Sequence, residues 1–400
     1  MNHMNSHEYY VPGYLANGIS AGIKEAGRKD LALIFSEVPA KAAGVFTTNC
    51  FKAAPVLVDM ERISSGTAQA ILTNSGNANA ATGDEGYRDA LTMSRVASRQ
   101  LHIADELVMV GSTGVIGHPL PVDKIENAVE PLAAGMHSGG IPAAEEAMMT
   151  TDRFPKMSCR KILIGSREVT LCGIAKGAGM IQPNMATMLA YLMTDADIEI
   201  SALNAVFKEG VAQSFNAISV DGCMSTNDTA LILANGMAGN RTIRRRSREL
   251  TPFREMLFAV LNELCRDMVR DGEGATKLIE LVVEGARTDS EARRVAYAVA
   301  NSNLVKTAFY GGDPNWGRII SAAGSLGIPL PVKAVKLFFD DVCLFSAGQG
   351  TTPPADRVAA IMAQDDIQVR LDLAMGNKRF RIYTSDLSFE YVKINAHYHT

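Results

Sequence analysis

No two cysteines in this chain stand as a C-x-x-C pair; the six lie apart at 50, 159, 172, 223, 265 and 343. That spacing argues against a zinc site and against a disulfide framework. Cys159, Cys172 and Cys265 fall in apolar or amphipathic runs and read as small core residues. An excess of charge of either sign is also missing. Lys and Arg number 39 against 43 Asp and Glu, a formal charge of −4, so there is no electrostatic case for nucleic acid. The one dense basic cluster, Arg241 to Arg248 with five arginines, reads as a solvated loop before a helical run from Thr251. No apolar run approaches the ~18 residues of a membrane span. The first ten residues are polar, without the basic-then-apolar layout of a secretory signal. Internal repeats, low-complexity segments and long linkers are lacking too. The expectation from these absences is a soluble, cytoplasmic protein without a metal centre.

What is present is ordinary globular material, 47% apolar and 20% charged. Four hundred residues exceed what one core usually holds, so two or more lobes are expected. Short apolar runs predict strands at Leu31–Phe35, Val45–Thr47, Pro55–Val58, Ala70–Leu72 and Leu107–Val110. Lys161–Gly165 and Val169–Ile174 read as a hairpin, and Leu278–Val283 as a further strand. Helical periodicity marks Asp84–Leu101, Val122–Met136, Pro142–Met149, Ser201–Ile218 and Thr251–Val269. A soft boundary falls at Gly285-Ala286, followed by a helix over Asp289–Val299. Beyond it come strands at Val335–Phe339, Val342–Phe345, Ile367–Leu373 and Phe380–Thr384, with a helix at Ala355–Ala363. The alternation of Tyr391–Thr400 predicts a final strand. Helices and strands intermix, so the fold class is α/β or mixed α+β.

The stretch with the most chemistry is Lys176-Gly-Ala-Gly-Met-Ile-Gln-Pro-Asn-Met-Ala-Thr187, followed by the apolar run Met188–Met193. Glycine and Pro183 forbid a regular element up to Asn184, and the apolar run reads as a buried strand. Thr187 therefore sits where a constrained loop enters the core, behind the small Ala186. Its hydroxyl could attack the Ala186 carbonyl, and hydrolysis of the resulting ester would leave Thr187 as a new amino terminus. A free α-amine titrates near ~7.7–8.0 and can serve as base to the hydroxyl beside it. The plain alternative is a Gly/Pro turn before a strand, with Thr187 chosen for β propensity. Gly111-Ser-Thr-Gly-Val-Ile-Gly117 likewise has two readings, a nest of N–H groups for an oxyanion or a tight turn. It lacks the lysine of a P-loop and full G-x-G-x-x-G spacing. Ser219 to Thr229 misses the calcium-loop spacing and reads as a structured loop with no catalytic role.

Those segments together resemble the ornithine acetyltransferase (glutamate N-acetyltransferase) family of arginine biosynthesis. The resemblance runs in order through Ser112-Thr-Gly-Val-Ile-Gly117, Thr150-Thr-Asp152, Lys176 to Leu189, Asp271-Gly-Glu-Gly-Ala-Thr-Lys277, Tyr310 to Arg318 and Tyr391 to Thr400. It implies the family's layered sheet-helix sandwich with a smaller carboxyl-terminal lobe, about 286–400. It implies cleavage between Ala186 and Thr187 into an α chain, 1–186, and a β chain, 187–400, assembled as a heterotetramer. Thr187 would be the nucleophile, with Thr113 and Gly114 as oxyanion donors. Thr150, Lys176, Thr187, Glu273, Asn395 and Thr400 would bind the amino-acid substrates, N-acetylornithine and glutamate. No cofactor is implied; whether acetyl-CoA also serves as acetyl donor stays open. Met193 and His399 depart from common family residues. A related amino-terminal-nucleophile aminopeptidase or amidase is the alternative enzyme, and a non-catalytic amino-acid-binding protein the alternative of another class.

Overall fold

The computed structural model describes residues 9–25, 27–182 and 188–397. In chain order the first strands are β1 (Tyr14–Ile19), β2 (Leu31–Phe46), β3 (Thr67–Asn77), β4 (Val108–Val115), β5 (Lys156–Ile164), β6 (Arg167–Lys176) and β7 (Leu189–Thr194). They are followed by β8 (Ile218–Ser219), β9 (Thr229–Ala234), β10 (Leu278–Ala286), β11 (Lys336–Phe339), β12 (Val342–Ser346), β13 (Gln349–Gly350), β14 (Asp366–Asp372) and β15 (Lys378–Ser385). The helices are α1 (Ala54–Arg62), α2 (Gly83–Leu101), α3 (Val122–Ala134), α4 (Ile141–Met148), α5 (Ile200–Gln213) and α6 (Leu250–Arg270). The later ones are α7 (Asp289–Ala300), α8 (Asn303–Tyr310), α9 (Trp316–Gly324), α10 (Ala355–Met362) and α11 (Phe389–His397).

Two sheets make the layers. The first runs β4-β3-β2-β9-β7-β6-β5 with β1 on β2; the second runs β13-β12-β11-β14-β10-β15-β8. Between them lies α6, whose apolar side (Phe253, Leu257, Val260, Leu261, Leu264, Met268) is fully or almost fully buried. It packs in one core with Leu171, Ala190, Leu192 and Ile232 of the first sheet and Leu278 and Tyr383 of the second. Each such side chain contributes roughly 1.5–3 kcal/mol by leaving water. The helices α1, α2 and α3 share a core with Leu31, Leu33, Leu72 and Val110, while α4 packs with Ile34, Met109 and Ile174. The layered α/β architecture is the one the mixed pattern implied.

Several local expectations are corrected. Leu31–Phe35 and Val45-Phe46 belong to one strand, β2, which absorbs its polar middle in a register shift between Phe35 and Ala40. Pro39 lies in that irregularity, where its missing N–H costs no ladder bond. Pro55–Val58 is the start of α1, not a strand: Pro55 occupies the first helical turn, where its fixed φ suits the helix and its absent donor is not needed. The described part of the last segment, 391–397, lies in helix α11 and not in a strand; Asn395 donates its side-chain amide to the Tyr391 carbonyl four residues back, at 3.0 Å. Cys159 and Cys172 are not separate core residues but register partners across β5 and β6, joined in a disulfide. The second sheet already includes β10, so its core begins at Ile279, ahead of the Gly285-Ala286 boundary.

Candidate active site

One narrow cleft of about 90 Å³ is lined by Thr113, Gly114, Thr150, Lys176, Glu273 and Asn395. These residues come from five separate stretches of chain. Ala186, Thr187 and Thr400 lie outside the described residues. The described chain on either side of 183–187 reaches the cleft or its edge. Gly179 and Met180 line it, and Leu189 pairs with Lys176.

Thr113 and Gly114 end β4, where it runs parallel to β3 with Ser75 opposite Thr113 and Gly76 opposite Gly114. Gly114 has φ +134°, and a Cβ there would strike the Gly76 backbone. Only glycine fits, so the backbone can approach the cleft as closely as it does. The strand end is held from behind. Ser112 Oγ donates to Asn74 Oδ1 at 2.6 Å, and the Asn227 amide donates to the Ser112 carbonyl at 2.8 Å and the Ala78 carbonyl at 2.6 Å. Asn227 and Ser225 also line the cleft. The loop read as merely structured thus supplies part of the wall.

Lys176, the last residue of β6, is 2% exposed. Its ammonium donates to Thr113 Oγ1 at 3.1 Å and Thr150 Oγ1 at 2.8 Å. Both hydroxyls are thereby used as acceptors, which leaves each one's own hydrogen to point elsewhere. An ammonium has three donors, so one stays available for a carboxylate. Burial pulls the Lys176 ammonium below its ordinary value, against the opposing attraction of Asp152.

Beneath these groups lies a charge network that sequence reading missed. Lys156, fully buried, bridges Asp152 and Asp271, each at 2.6 Å. Asp152 also accepts the Thr150 N–H at 2.8 Å and the Gly177 N–H at 2.7 Å. Burial would raise the Asp152 carboxyl, but Lys156 and Lys176 outweigh it and hold it well below the usual carboxylate range. Burial would lower Lys156, yet its two carboxylates raise it. Removing one member of such a buried set strands an uncompensated charge and costs about 3–5 kcal/mol. The network ties the Thr150 turn to the end of α6, because Asp271 is that helix's C-cap. The signal is hidden because Lys156 and Asp271 stand 115 residues apart along the chain.

Glu273 follows at the glycine corner. Its N–H donates to the Ala178 carbonyl at 2.9 Å, and its carboxylate occupies the space a Gly179 side chain would need. Asn395 donates to Glu273 Oε2 at 2.7 Å from α11. On the near side of the loop, Asp221 accepts the Met180 and Ile181 N–H groups at 2.6 and 2.9 Å. It holds Met180 at φ +57°, a conformation that side chains other than glycine adopt at a cost.

The arrangement combines paired hydroxyl hydrogens, a desolvated ammonium and a carboxylate across one cleft, which suits acyl chemistry on a zwitterionic amino acid. Comparison with known proteins agrees in kind. The ArgJ family model matches residues 15–400. The arginine biosynthesis bifunctional protein ArgJ of Geobacter sulfurreducens is 49% identical over 98% of this chain and 100% of its own length. Its counterpart in Syntrophotalea carbinolica is also 49% identical, over 98% of this chain and 99% of its own. A crystal structure of the Bacillus halodurans protein of that name is 35% identical, with a TM-score of 0.50. The match covers 52% of this chain and 98% of that one. The solved Bacillus chain is thus about half as long as this one.

Proposed function

The chain belongs to the ArgJ family, and from that premise we propose that it works as a split enzyme with Thr187 as nucleophile. It is an acyltransferase of arginine biosynthesis that moves the acetyl group of N2-acetyl-L-ornithine to L-glutamate. In maturation the Thr187 hydroxyl adds to the Ala186 carbonyl carbon, the C–N bond breaks, and the nitrogen takes the hydroxyl proton. Water then opens the ester, leaving chains 1–186 and 187–400. The length of the Bacillus chain, close to that of residues 187–400, supports this division.

In the first half-reaction the Thr187 hydroxyl attacks the acetyl carbonyl while its α-amine takes the proton. Thr113, whose hydrogen is spared by accepting from Lys176, and the Gly114 N–H hold the oxyanion. The amine then returns its proton to departing ornithine. Glutamate enters, attacks the acetyl-threonine ester through its amine, and leaves as N-acetylglutamate. Lys176 pairs with the α-carboxylate that both substrates share. Glu273, steadied by Asn395, takes ornithine's side-chain ammonium, and Thr150 and Thr400 complete the contacts. The bifunctional name of the relatives supports acetyl-CoA as a second donor to the same threonine. Assembly is two α and two β chains in the cytoplasm; no described helix is long and apolar enough to cross a membrane.

The observation that carries the proposal is the convergence of six residues from five segments on one cleft, which Gly179 and Met180 also line. Intact mass spectrometry tests it. Wild type should give two fragments, and Thr187→Ala one chain of 42.9 kDa with activity below about 10⁻⁴ of wild type. An active, unsplit wild type sinks the reading. Acetate release without glutamate would favour the amidase alternative.

A further inference from the structure

The run 384–388 has no part in the steps above, yet it joins α8 to the corner that carries Glu273. Lys306 on α8 is 3% exposed, and its ammonium donates to Thr384 Oγ1 at 3.1 Å, to Ser385 Oγ at 3.3 Å and to the Ser385 carbonyl. All three of its hydrogens thus meet neutral oxygens. Burial pulls the Lys306 ammonium down to about 8, against the attraction of Asp386 and Asp221. The next residue, Asp386, is buried as well and faces the corner. Its Oδ1 accepts the Thr276 and Lys277 N–H groups at 2.8 and 3.0 Å, and its Oδ2 accepts the Thr276 hydroxyl at 2.6 Å. Ser388 Oγ donates to the Gly274 carbonyl at 2.6 Å. Gly274 has φ +69°, and a Cβ there would lie 2.5 Å from the Tyr391 nitrogen, so the corner sits flush on the first turn of α11.

We propose that Asp386 is the positioning residue of Glu273, and that through Glu273 it sets how strongly the site selects an amino acid with a cationic side chain. The inference rests on the reading that Glu273 takes ornithine's side-chain ammonium. Glu273 stands between two glycines, and such backbone keeps one conformation only when it is tied from outside. Ser388 ties it one residue after Glu273, and Asp386 ties it three and four residues after. The same run leads into α11, whose Asn395 meets the Glu273 carboxylate. Backbone and side chain of Glu273 are therefore both placed by the chain from Asp386 onward, and Lys306 fixes the start of that chain to α8. Asp386 itself does not line the cleft, so it acts through Glu273 and touches no substrate. No bond to it forms or breaks. Glutamate has no side-chain ammonium, so the effect belongs to one half-reaction. With acetyl held on the enzyme between the two halves, kcat/KM for each substrate reports its own half alone.

Asp386→Ala removes all three acceptor contacts. Expected on split protein is a kcat/KM for acetylornithine lower by about tenfold, the weight of one partly exposed charged contact, with kcat/KM for glutamate within about threefold of wild type. A general loosening of the fold lowers both alike; that result overturns the proposal, as does no change in either. A double variant gives the second readout. With Glu273→Gln already in place, Asp386→Ala should cost less than about twofold more, because the contact it positions is gone. Losses that multiply to about a hundredfold overturn the proposal. Should the alanine variant not fold, Asp386→Asn keeps an oxygen for the two N–H groups and loses the acceptor of the Thr276 hydroxyl. A loss of about threefold confined to acetylornithine then supports the assignment, and no loss, or an equal one in both halves, overturns it. Glu273→Gln alone keeps the two readings apart. If it leaves kcat/KM for acetylornithine unchanged, the ammonium reading falls and this inference with it. A selective loss there beside an indifferent Asp386→Ala removes only this inference.

Discussion

The two walls of the cleft are built differently. On the sheet side, Thr113 and Lys176 are 3% and 2% exposed and end strands whose ladders continue behind them. On the other side, Glu273 is half-buried on a glycine corner, and Asn395 is exposed on α11, a helix with no buried residue. Hydrogen bonds in the dry wall act in a low dielectric and are strong, and their geometry is set by the fold. Those at the wet wall compete with water and are weak per contact. Stabilising charge that appears only in the transition state needs the first kind of wall. Recognising a ground-state ammonium can be left to the second.

If that division is right, substitutions on the two walls should separate in kinetics. Lys176→Met removes the ammonium that turns the Thr113 and Thr150 hydroxyls toward the cleft. kcat/KM should fall by about 10²–10³, with kcat itself reduced, the scale of losing an oxyanion donor. Steady-state assays on folded, split protein check it; a change in KM alone would erase the distinction between the walls. Glu273→Gln should leave kcat within about threefold and raise KM for acetylornithine by about tenfold, the weight of one partly exposed charged contact. The KM for glutamate, which has no side-chain ammonium, should move less. A loss of kcat at Glu273 as large as at Lys176 would mean the wet wall takes part in the chemistry.

Much of this division was legible in the chain, and the illegible part has physical causes. Amphipathic runs gave α2 and α6 almost to their ends, because their apolar stripes face one core. The β5–β6 hairpin was readable because its contacts are local. Gly114 and Gly179 lie in stretches that the sequence singled out, and both line the cleft with the described candidates. Lengths and partners across the chain were not readable. Nothing near Phe35 announces that β2 continues past Pro39, since the continuity comes from pairing with β3 and β9. The alternation of Tyr391 to Asn395 mimics a strand because α11 lies on the surface and needs no apolar stripe. Nothing beside Lys156 in the chain marks it out. Its meaning depends on Asp271, which only the fold brings within 2.6 Å.

The smallest expected effect concerns the floor of the dry wall. Glu145 on α4 is fully buried; its Oε1 accepts the Lys156 N–H at 3.0 Å, and its Oε2 has no partner among the described residues. Burial pushes its carboxyl up to about 8, aided by Asp152 and Asp271 and opposed by Lys156. An acid raised in the folded state binds its proton more tightly there than in the unfolded chain. Its contribution is present in full at low pH and is lost as pH rises from the ordinary glutamate range through about 8. Glu145→Gln copies the protonated form and should lack that slope. Its melting temperature should match wild type near pH 5 and exceed it near pH 9. Thermal melts of both proteins across that range decide the matter, and parallel curves would mean that Glu145 is ionised in the fold. An ionised Glu145 would be a third buried carboxylate beside Asp152 and Asp271, which already share Lys156, with Arg153 on Asp271 at 3.0 Å and Lys176 acting on Asp152.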